Sequence, residues 1–221
     1  MPPIHNFGSQ ACVATGDLAA VGTAWQTGRM DLHLTDDPSA DALLSTDPFA
    51  LLVGMLLDQQ IAMEVAFAGP RKILDRFGTL EPRAIADADP EEFLAAFRES
   101  PAVHRFPGSM AGRVQELARV IAVDWGGDAA SIWTQGSPSG AEVRQRLQTL
   151  PGFGEQKARI FLALLGKQCG FDGAGWREAS SPYGEPGSFR SVADITSPES
   201  LIKVRETKRA AKAAAKAAKT A

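Results

Sequence analysis

Apolar residues recur at helical spacing through most of the chain, and this pattern predicts an all-α fold. The segment 48–61 is apolar on nearly every side, which is typical of a helix buried in a core. The segment 109–125 places Met110, Val114 and Leu117 on one helical face. Apolar and polar residues do not alternate over any sustained stretch, so the pattern gives no clear support for a β-strand.

Proline, glycine and capping residues mark where these helices begin and end. Pro48 occupies a first helical position, and Asp89 before Pro90 is a strong signal for a helix start. Gly69 precedes a proline and is expected to break the next helical segment. The last predicted helix covers 198–209, and the Ala/Lys sequence beyond it favours helix but has no apolar face.

Charge is unevenly distributed along the 221 residues. The last 21 residues hold seven Lys and Arg against one Glu, a net charge of +6, so the −3 of the whole chain leaves −9 in residues 1–200. Residues 1–29 hold only two charged side chains and have no sustained periodicity. We therefore expect a non-native or disordered extension over 1–29, a helical domain over 30–209 and a basic tail over 210–221.

Cysteine and histidine usage argues against a bound metal. Cys12 and Cys169 are too far apart to form a motif, and the three histidines are scattered. We expect no disulfide framework and no metal site. No run approaches the roughly 20 apolar residues of a membrane span, so we expect no membrane partner and a cytoplasmic location.

A glycine turn between two amphipathic helices carries the clearest functional signal. Residues 150–158 read Leu-Pro-Gly-Phe-Gly-Glu-Gln-Lys-Ala, and apolar residues recur at helical spacing on both sides. Gly152 and Gly154 allow the backbone to approach a ligand closely. The amides at the start of the second helix suit a phosphate group. An ordinary helical hairpin without a ligand is the alternative interpretation.

The string Leu-Pro-Gly-x-Gly, followed by a helix containing Lys-Ala, resembles the helix-hairpin-helix of the base-excision DNA glycosylases, the HhH-GPD superfamily. The segment 48–61, which ends at Gln59 and Gln60, is similar to the early core helix of that family, most of all in its 3-methyladenine glycosylase branch. The resemblance covers about residues 38–180. It implies two helical lobes flanking a cleft, double-stranded DNA lying across the cleft, and a flipped base entering it.

The resemblance also implies which residues bind DNA. In the family the hairpin amides hold a phosphate of the duplex, often with a bound monovalent cation. The expected DNA-binding residues here are Gly152, Phe153, Gly154, Gln156, Lys157, Gln59 and Gln60. Some relatives hold an iron–sulfur cluster on four cysteines, but two cysteines cannot, so we expect no cofactor of that kind.

The same comparison predicts no strand nicking. The lysine nucleophile of the bifunctional branch lies two residues beyond the second hairpin glycine, and Gln156 occupies that position here. An amide cannot form a Schiff base. Lys157 is one residue further, which turns its side chain by about 100° on a helix, so we expect it to face solvent or a phosphate.

The catalytic carboxylate is less clearly defined. The family places an aspartate about 20 residues beyond the second glycine, and no acidic residue lies at that position. Asp172 and Glu178 are the nearest candidates, although Asp172 could simply form a turn and Glu178 could pair with Arg177. Neither residue being catalytic is the third alternative. Trp176 is the expected aromatic wall of a base pocket.

These features predict a monofunctional DNA glycosylase, acting as a monomer in association with the nucleoid. It would remove a damaged base, preferably an alkylated purine, and leave an abasic site. A catalytically silent DNA-binding or lesion-sensing protein is the main alternative, and a structural or protein-interaction role is a third. A carboxylate in the cleft would favour the glycosylase.

Overall fold

The computed structural model describes residues 30–220, so the predicted extension 1–29 lies outside the described residues. Residues 30–220 form α-helices and one 3₁₀ turn, with no β-strand, which confirms the all-α prediction. The helices in chain order are α1 Pro38–Thr46, α2 Pro48–Leu57, α3 Met63–Phe67, α4 Gly69–Phe77, α5 Pro82–Asp87, α6 Pro90–Arg98, α7 Pro107–Asp124, α8 Ser131–Thr134, α9 Gly140–Gln148, α10 Glu155–Gln168, α11 Trp176–Ala179 and α12 Pro198–Thr220, with the 3₁₀ turn at Val192–Asp194.

An acidic residue followed by proline begins four of these helices. The four capping residues are Asp37, Asp47, Glu81 and Asp89. Each side chain accepts hydrogen bonds from backbone N–H groups of the first turn, which would otherwise have no acceptor. The proline that follows supplies a helical φ and has no N–H to satisfy.

Helix α2 is the centre of the core. Every residue from Phe49 to Leu57 is buried, and α2 packs against α1, α3, α4 and α7. The helix ends at Leu57 rather than at residue 61, because Asp58 leaves the helical backbone and Gln60 has a φ of 60°. The predicted break at Gly69 is confirmed, since α3 ends at Phe67 and α4 begins at Gly69.

Two longer helices, α7 and α10, each pack against several short elements. Helix α7 packs against α5 and α6, and α10 packs against α9, α11 and the 3₁₀ turn. Within residues 30–220 no single helix is long and apolar enough to cross a membrane. Only α1 and α2 reach that length together, and they are bent by 119° relative to each other.

Helix α12 continues through the predicted basic tail as one helix of 23 residues. Leu201 and Val204 are buried near its start, whereas residues 205–211 are exposed. Further along, the Arg205 Nε donates to the Glu64 Oε1 on α3 at 2.7 Å. The first half of α12 is therefore attached to the helical body.

Trp176 lies in the core, between α9 and α10. Its exposed fraction is 7%. A Cβ added to Gly166 would lie 2.5 Å from the Trp176 Cδ2, and one added to Gly140 would lie 2.7 Å from the Trp176 backbone N. The indole therefore packs over Gly166, and the Trp176 backbone packs against Gly140. This burial does not favour the predicted base-pocket wall, which stays a prediction.

We predict that Gly166→Ala lowers the free energy of unfolding by about 2 kcal/mol, because the new methyl group overlaps the indole of Trp176. Gly112→Ala in α7 is the matched control, since no atom lies within 4 Å of its added Cβ. The control should raise stability by about 0.5–1 kcal/mol through helix propensity. Urea unfolding measures both, and stabilisation by Gly166→Ala would contradict this packing.

Candidate active site

The glycine turn joins α9 to α10 and presents free backbone amides. Gly152 has a φ of 76°, and a Cβ there would collide with the Leu56 side chain of α2. Gly154 precedes α10 with a φ of −74°, and nothing lies within 4 Å of its added Cβ. No side chain caps the first turn of α10. Its N–H groups are therefore available to a ligand.

Phe153, between the two glycines, does not face a ligand. Its exposed fraction is 3%, and its ring packs edge-on against Phe161 at a centroid distance of 6.0 Å. Its N–H donates to the Leu150 carbonyl at 3.1 Å. This arrangement does not favour a contact between Phe153 and DNA, because both its ring and its amide are used within the protein, and the contact stays a prediction.

Lys157 joins the hairpin to the end of α2. Its Nζ donates to the carbonyl oxygens of Met55 and Leu56, each at 2.8 Å. The last carbonyls of a helix have no partner within the helix and carry partial negative charge, so a cation is stabilising there. This geometry does not favour the predicted solvent-facing or phosphate-contacting lysine, because the end of α2 lies beside the first turn of α10. A contact between Lys157 and DNA stays a prediction.

The Lys157 ammonium group is also poised to lose its proton near neutral pH. Burial lowers its pKa to about 8, and nearby Arg113 acts in the same direction. The Asp58 carboxylate opposes this shift. A neutral amine keeps two N–H donors, which is enough for the two carbonyl acceptors.

A cavity of about 600 Å³ opens beside Lys157. It is bounded by the end of α2, the first turns of α10, the loop after α11 and the middle of α12. Its polar lining residues are Asp58, Gln156, Lys157, Tyr183, Arg190, Thr207 and Lys208. One carboxylate and three cations thus converge on a space large enough for a nucleobase.

Asp58 supplies the carboxylate of this cavity. It follows the last residue of α2 and is half-buried. Burial raises the pKa of Asp58 and Glu64 adds to the rise, whereas the cations Lys208 and Lys157 lower it. Sequence reasoning missed Asp58, although an acidic residue directly after a wholly apolar helix was a visible signal.

The aromatic ring of Tyr183 lines this cavity. The Gln156 Nε2 donates to the Tyr183 Oη at 3.0 Å, and both side chains line the cavity. Tyr183 is the single tyrosine of the chain and lies in an irregular loop. No periodicity indicated its place, so only the folded chain brings it to Gln156.

The two glutamines after α2 have different environments. The Gln59 Nε2 donates to the Leu56 carbonyl at 2.9 Å, and the Gln59 Oε1 accepts from Arg113 at 3.1 Å. The Gln59 amide is thus occupied within the protein, which disfavours a DNA contact. Gln60 is exposed, and its left-handed φ of 60° is uncommon for a residue with a side chain. Its contact with DNA stays a prediction.

The acidic residues after the hairpin lie elsewhere. Asp172 and Glu178 are both exposed, and neither lines the cavity. Their catalytic role stays a prediction that this geometry does not favour. Across residues 30–220, no three His, Cys, Asp or Glu side chains converge as a metal site would require. The monovalent cation at the hairpin also stays a prediction.

Comparison with known proteins identifies the family. A family model described as HhH-GPD superfamily base excision DNA repair protein matches residues 53–217, about three quarters of the chain. The chain belongs to this superfamily, and the resemblance seen in the sequence is confirmed. Base-excision repair of DNA is the function that membership implies. Comparison with curated proteins and with solved structures gave no match.

The two hairpin glycines allow a test of phosphate binding. We predict that Gly154→Ala keeps the melting temperature, because its φ is ordinary and its surroundings are empty. It should weaken binding to every duplex by about threefold to tenfold, since phosphate contacts carry no sequence information. Fluorescence anisotropy with damaged and undamaged duplexes measures the affinity. Unchanged affinity would contradict phosphate binding at this turn.

Gly152→Ala serves as the contrasting variant. It should lower the melting temperature, because its φ is positive and Leu56 occupies the space. A loss of DNA affinity in Gly152→Ala alone, with Gly154→Ala unaffected, would assign the effect to folding rather than to the phosphate contact.

We predict a pH-dependent stability that depends on Lys157. Between its pKa of about 8 in the folded protein and its ordinary value of 10.5, the unfolded chain binds more protons. The free energy of unfolding contributed by Lys157 should therefore rise with pH across this window. Lys157→Met should lose this rise, and Lys203→Met, a lysine exposed on α12, should keep it. Urea unfolding from pH 7.5 to 10.5 tests both variants.

Proposed function

We propose that the protein is a monofunctional DNA glycosylase, which releases a damaged base from duplex DNA and leaves the strand intact. The observation that carries this proposal is the half-buried carboxylate of Asp58 on a cavity of about 600 Å³ beside the hairpin. A protein that only bound DNA would need the hairpin, but it would need no enclosed carboxylate.

Base release begins with extrusion of the nucleotide, because its glycosidic carbon is out of reach inside the stack. The hairpin amides hold a phosphate near the extruded nucleotide, and the cavity receives the base. Tyr183 offers a ring for stacking, and the Gln156 amide offers both a donor and an acceptor to the edge of the base. These groups determine orientation rather than chemistry.

The chemical step breaks the bond between the sugar carbon C1′ and the base nitrogen. The bonding electron pair leaves with the base, and positive charge develops on the sugar. The Asp58 carboxylate stabilises this charge and accepts a proton from the water that adds to C1′. Asp58 must be ionised to do this; burial raises its pKa, and the cations Lys208 and Lys157 oppose that rise.

Two features support the absence of strand nicking. Gln156 occupies the position of the family's nucleophilic lysine, and its amide cannot form an imine. The Lys157 amine does line the cavity, but its Nζ already donates to the Met55 and Leu56 carbonyls. Attack on a sugar would require Lys157 to give up both hydrogen bonds.

An alkylated purine is the substrate class that we favour. The segment ending at Gln59 and Gln60 resembles the 3-methyladenine glycosylase branch. Alkylation also leaves a purine electron-poor, and such a ring is attracted to the face of an aromatic side chain such as Tyr183.

One observation favours the catalytically silent alternative. Asp172 and Glu178, the carboxylates nearest to the family's catalytic position, lie outside the cavity. In that case the chain would use the fold to locate damaged DNA, and Asp58 would serve only to end α2.

The decisive experiment uses a panel of duplexes with alkylated, deaminated and oxidised bases, followed by alkali to reveal abasic sites. We expect base release from at least one duplex. Asp58→Asn should reduce the rate by about 100-fold or more while DNA binding persists. Asp172→Asn is the matched control and should retain activity. Release from no duplex, or full activity in Asp58→Asn, would contradict the proposed role of Asp58.

Borohydride trapping on the same duplexes tests the monofunctional part separately. We expect no covalent protein–DNA adduct. An adduct that disappears in Lys157→Ala would show that Lys157 is a nucleophile, and the enzyme would then be a bifunctional glycosylase.

A further inference from the structure

Helix α12 contacts the junction of α2 and α3 through two cations. Arg205 pairs with Glu64 on α3, with the Nε to Oε1 distance at 2.7 Å. Lys208 lines the same cavity as Asp58 at the end of α2. Residues three apart share one face of a helix, so α12 presents both cations on the side that faces these carboxylates.

We propose that Lys208 is a positioning residue, which keeps the Asp58 carboxylate ionised inside the cavity, and that the Arg205–Glu64 ion pair holds α12 in the place where Lys208 can do so. The inference rests on the proposed function, in which Asp58 is the reacting carboxylate. It makes α12, the most basic segment of the chain, part of the active site.

The charges around Asp58 come from four elements. Glu64 on α3 is the one nearby anion that raises its pKa, and the cations are Lys157 on α10 and Lys208 on α12. Arg190, in the loop after α11, also lines the cavity. Of these cations, Lys208 opposes the effect of burial most strongly.

Lys157 cannot replace Lys208 in this role. The Lys157 Nζ is held by the Met55 and Leu56 carbonyls, and its pKa of about 8 leaves part of the population neutral at physiological pH. Lys208 is exposed and, among the described residues, donates no hydrogen bond to a protein acceptor. The Lys208 ammonium group is therefore not held by another protein group and can face Asp58 across the cavity.

Arg205 acts on Asp58 in two ways. It fixes the part of α12 that carries Lys208, and it neutralises Glu64, which is the anion that raises the pKa of Asp58. Loss of Arg205 should therefore raise the pKa of Asp58 even while Lys208 is still present. If the pKa of Asp58 depended only on the net charge of the protein, loss of any lysine or arginine on α12 would raise it equally. In the arrangement proposed here, loss of Arg205 or Lys208 raises it and loss of a distant cation on α12 does not.

The test is direct titration of Asp58 in the full-length protein by carbon NMR of labelled aspartate, with Asp58→Asn used to assign the signal. Lys208→Gln should raise the pKa of Asp58 by about one unit, and Arg205→Gln should also raise it. Lys208→Arg should restore the wild-type value. Lys203→Gln is the matched control, because Lys203 lies on the same helix, 5.0 Å from the ring of Phe189.

An unchanged pKa in Lys208→Gln would overturn the inference, and so would an equal rise in Lys203→Gln. The same variants are then assayed for base release. In Lys208→Gln the acidic limb of the pH–rate profile should move to higher pH by the shift that NMR measures. If the pKa shifts but no duplex loses a base, Lys208 positions Asp58 and the glycosylase proposal fails. If base is released while the pKa of Asp58 stays constant in Lys208→Gln, the glycosylase proposal stands and the inference about Lys208 fails.

Discussion

The site depends on which groups donate hydrogen bonds to the backbone carbonyls at the carboxyl end of α2. This helix is buried along its length and stops at Leu57, which leaves carbonyl groups without a helical partner in a place that water reaches poorly. Lys157 accounts for the carbonyls of Met55 and Leu56, and the Gln59 side chain also donates to Leu56. The hairpin, through Lys157, and the end of α2 are about 100 residues apart in sequence and are thus joined by hydrogen bonds.

The loop after α2 is fixed by a second set of contacts. The buried His104 accepts from the Phe106 N–H at its Nδ1, so the proton lies on Nε2, which donates to the Gln59 carbonyl at 2.9 Å. Arg113 binds the other end of the Gln59 side chain. Asp58 lies between the capped helix end and this anchored residue, so its backbone is held on both sides. A reacting carboxylate benefits from such support.

The net charge of the chain is negative, as is that of DNA, but cations are concentrated at the candidate site. The net charge of −3 disfavours DNA binding if it is treated as uniform. The structure instead collects Lys157, Arg190 and Lys208 around one cavity. Lys157 comes from the hairpin, Arg190 from the loop after α11 and Lys208 from α12, so the basic carboxyl-terminal segment and the acidic body meet at the site. Residues 201–211 therefore contribute more than a detached solubility tail would.

The parts of the fold that sequence predicts are those governed by local rules. The cap at Asp89, the break at Gly69 and the glycine turn at 152–154 each follow from a few adjacent residues. Lys157 and Tyr183 could not be placed in this way, because their partners are about 100 and 27 residues away in sequence. The burial of Trp176 could not be predicted for a related reason, since the space for its indole depends on Gly166 and the space for its backbone on Gly140, and both glycines lie on other helices.

Placing the carboxylate at the end of α2 rather than after the hairpin changes how a site of this kind is held together. A carboxylate on the loop after α10, such as Asp172, is exposed and lies outside the cavity. Asp58 instead adjoins the carbonyls that bind Lys157, and Lys157 lies on the first turn of α10, beside the amides that suit a phosphate. On the proposed function, the phosphate site and the reacting carboxylate are therefore joined through one side chain. Their separation is determined by the hydrogen bonds of Lys157 to the end of α2 and by Leu56, which fills the space beside Gly152, and this arrangement favours a single geometry for the extruded nucleotide.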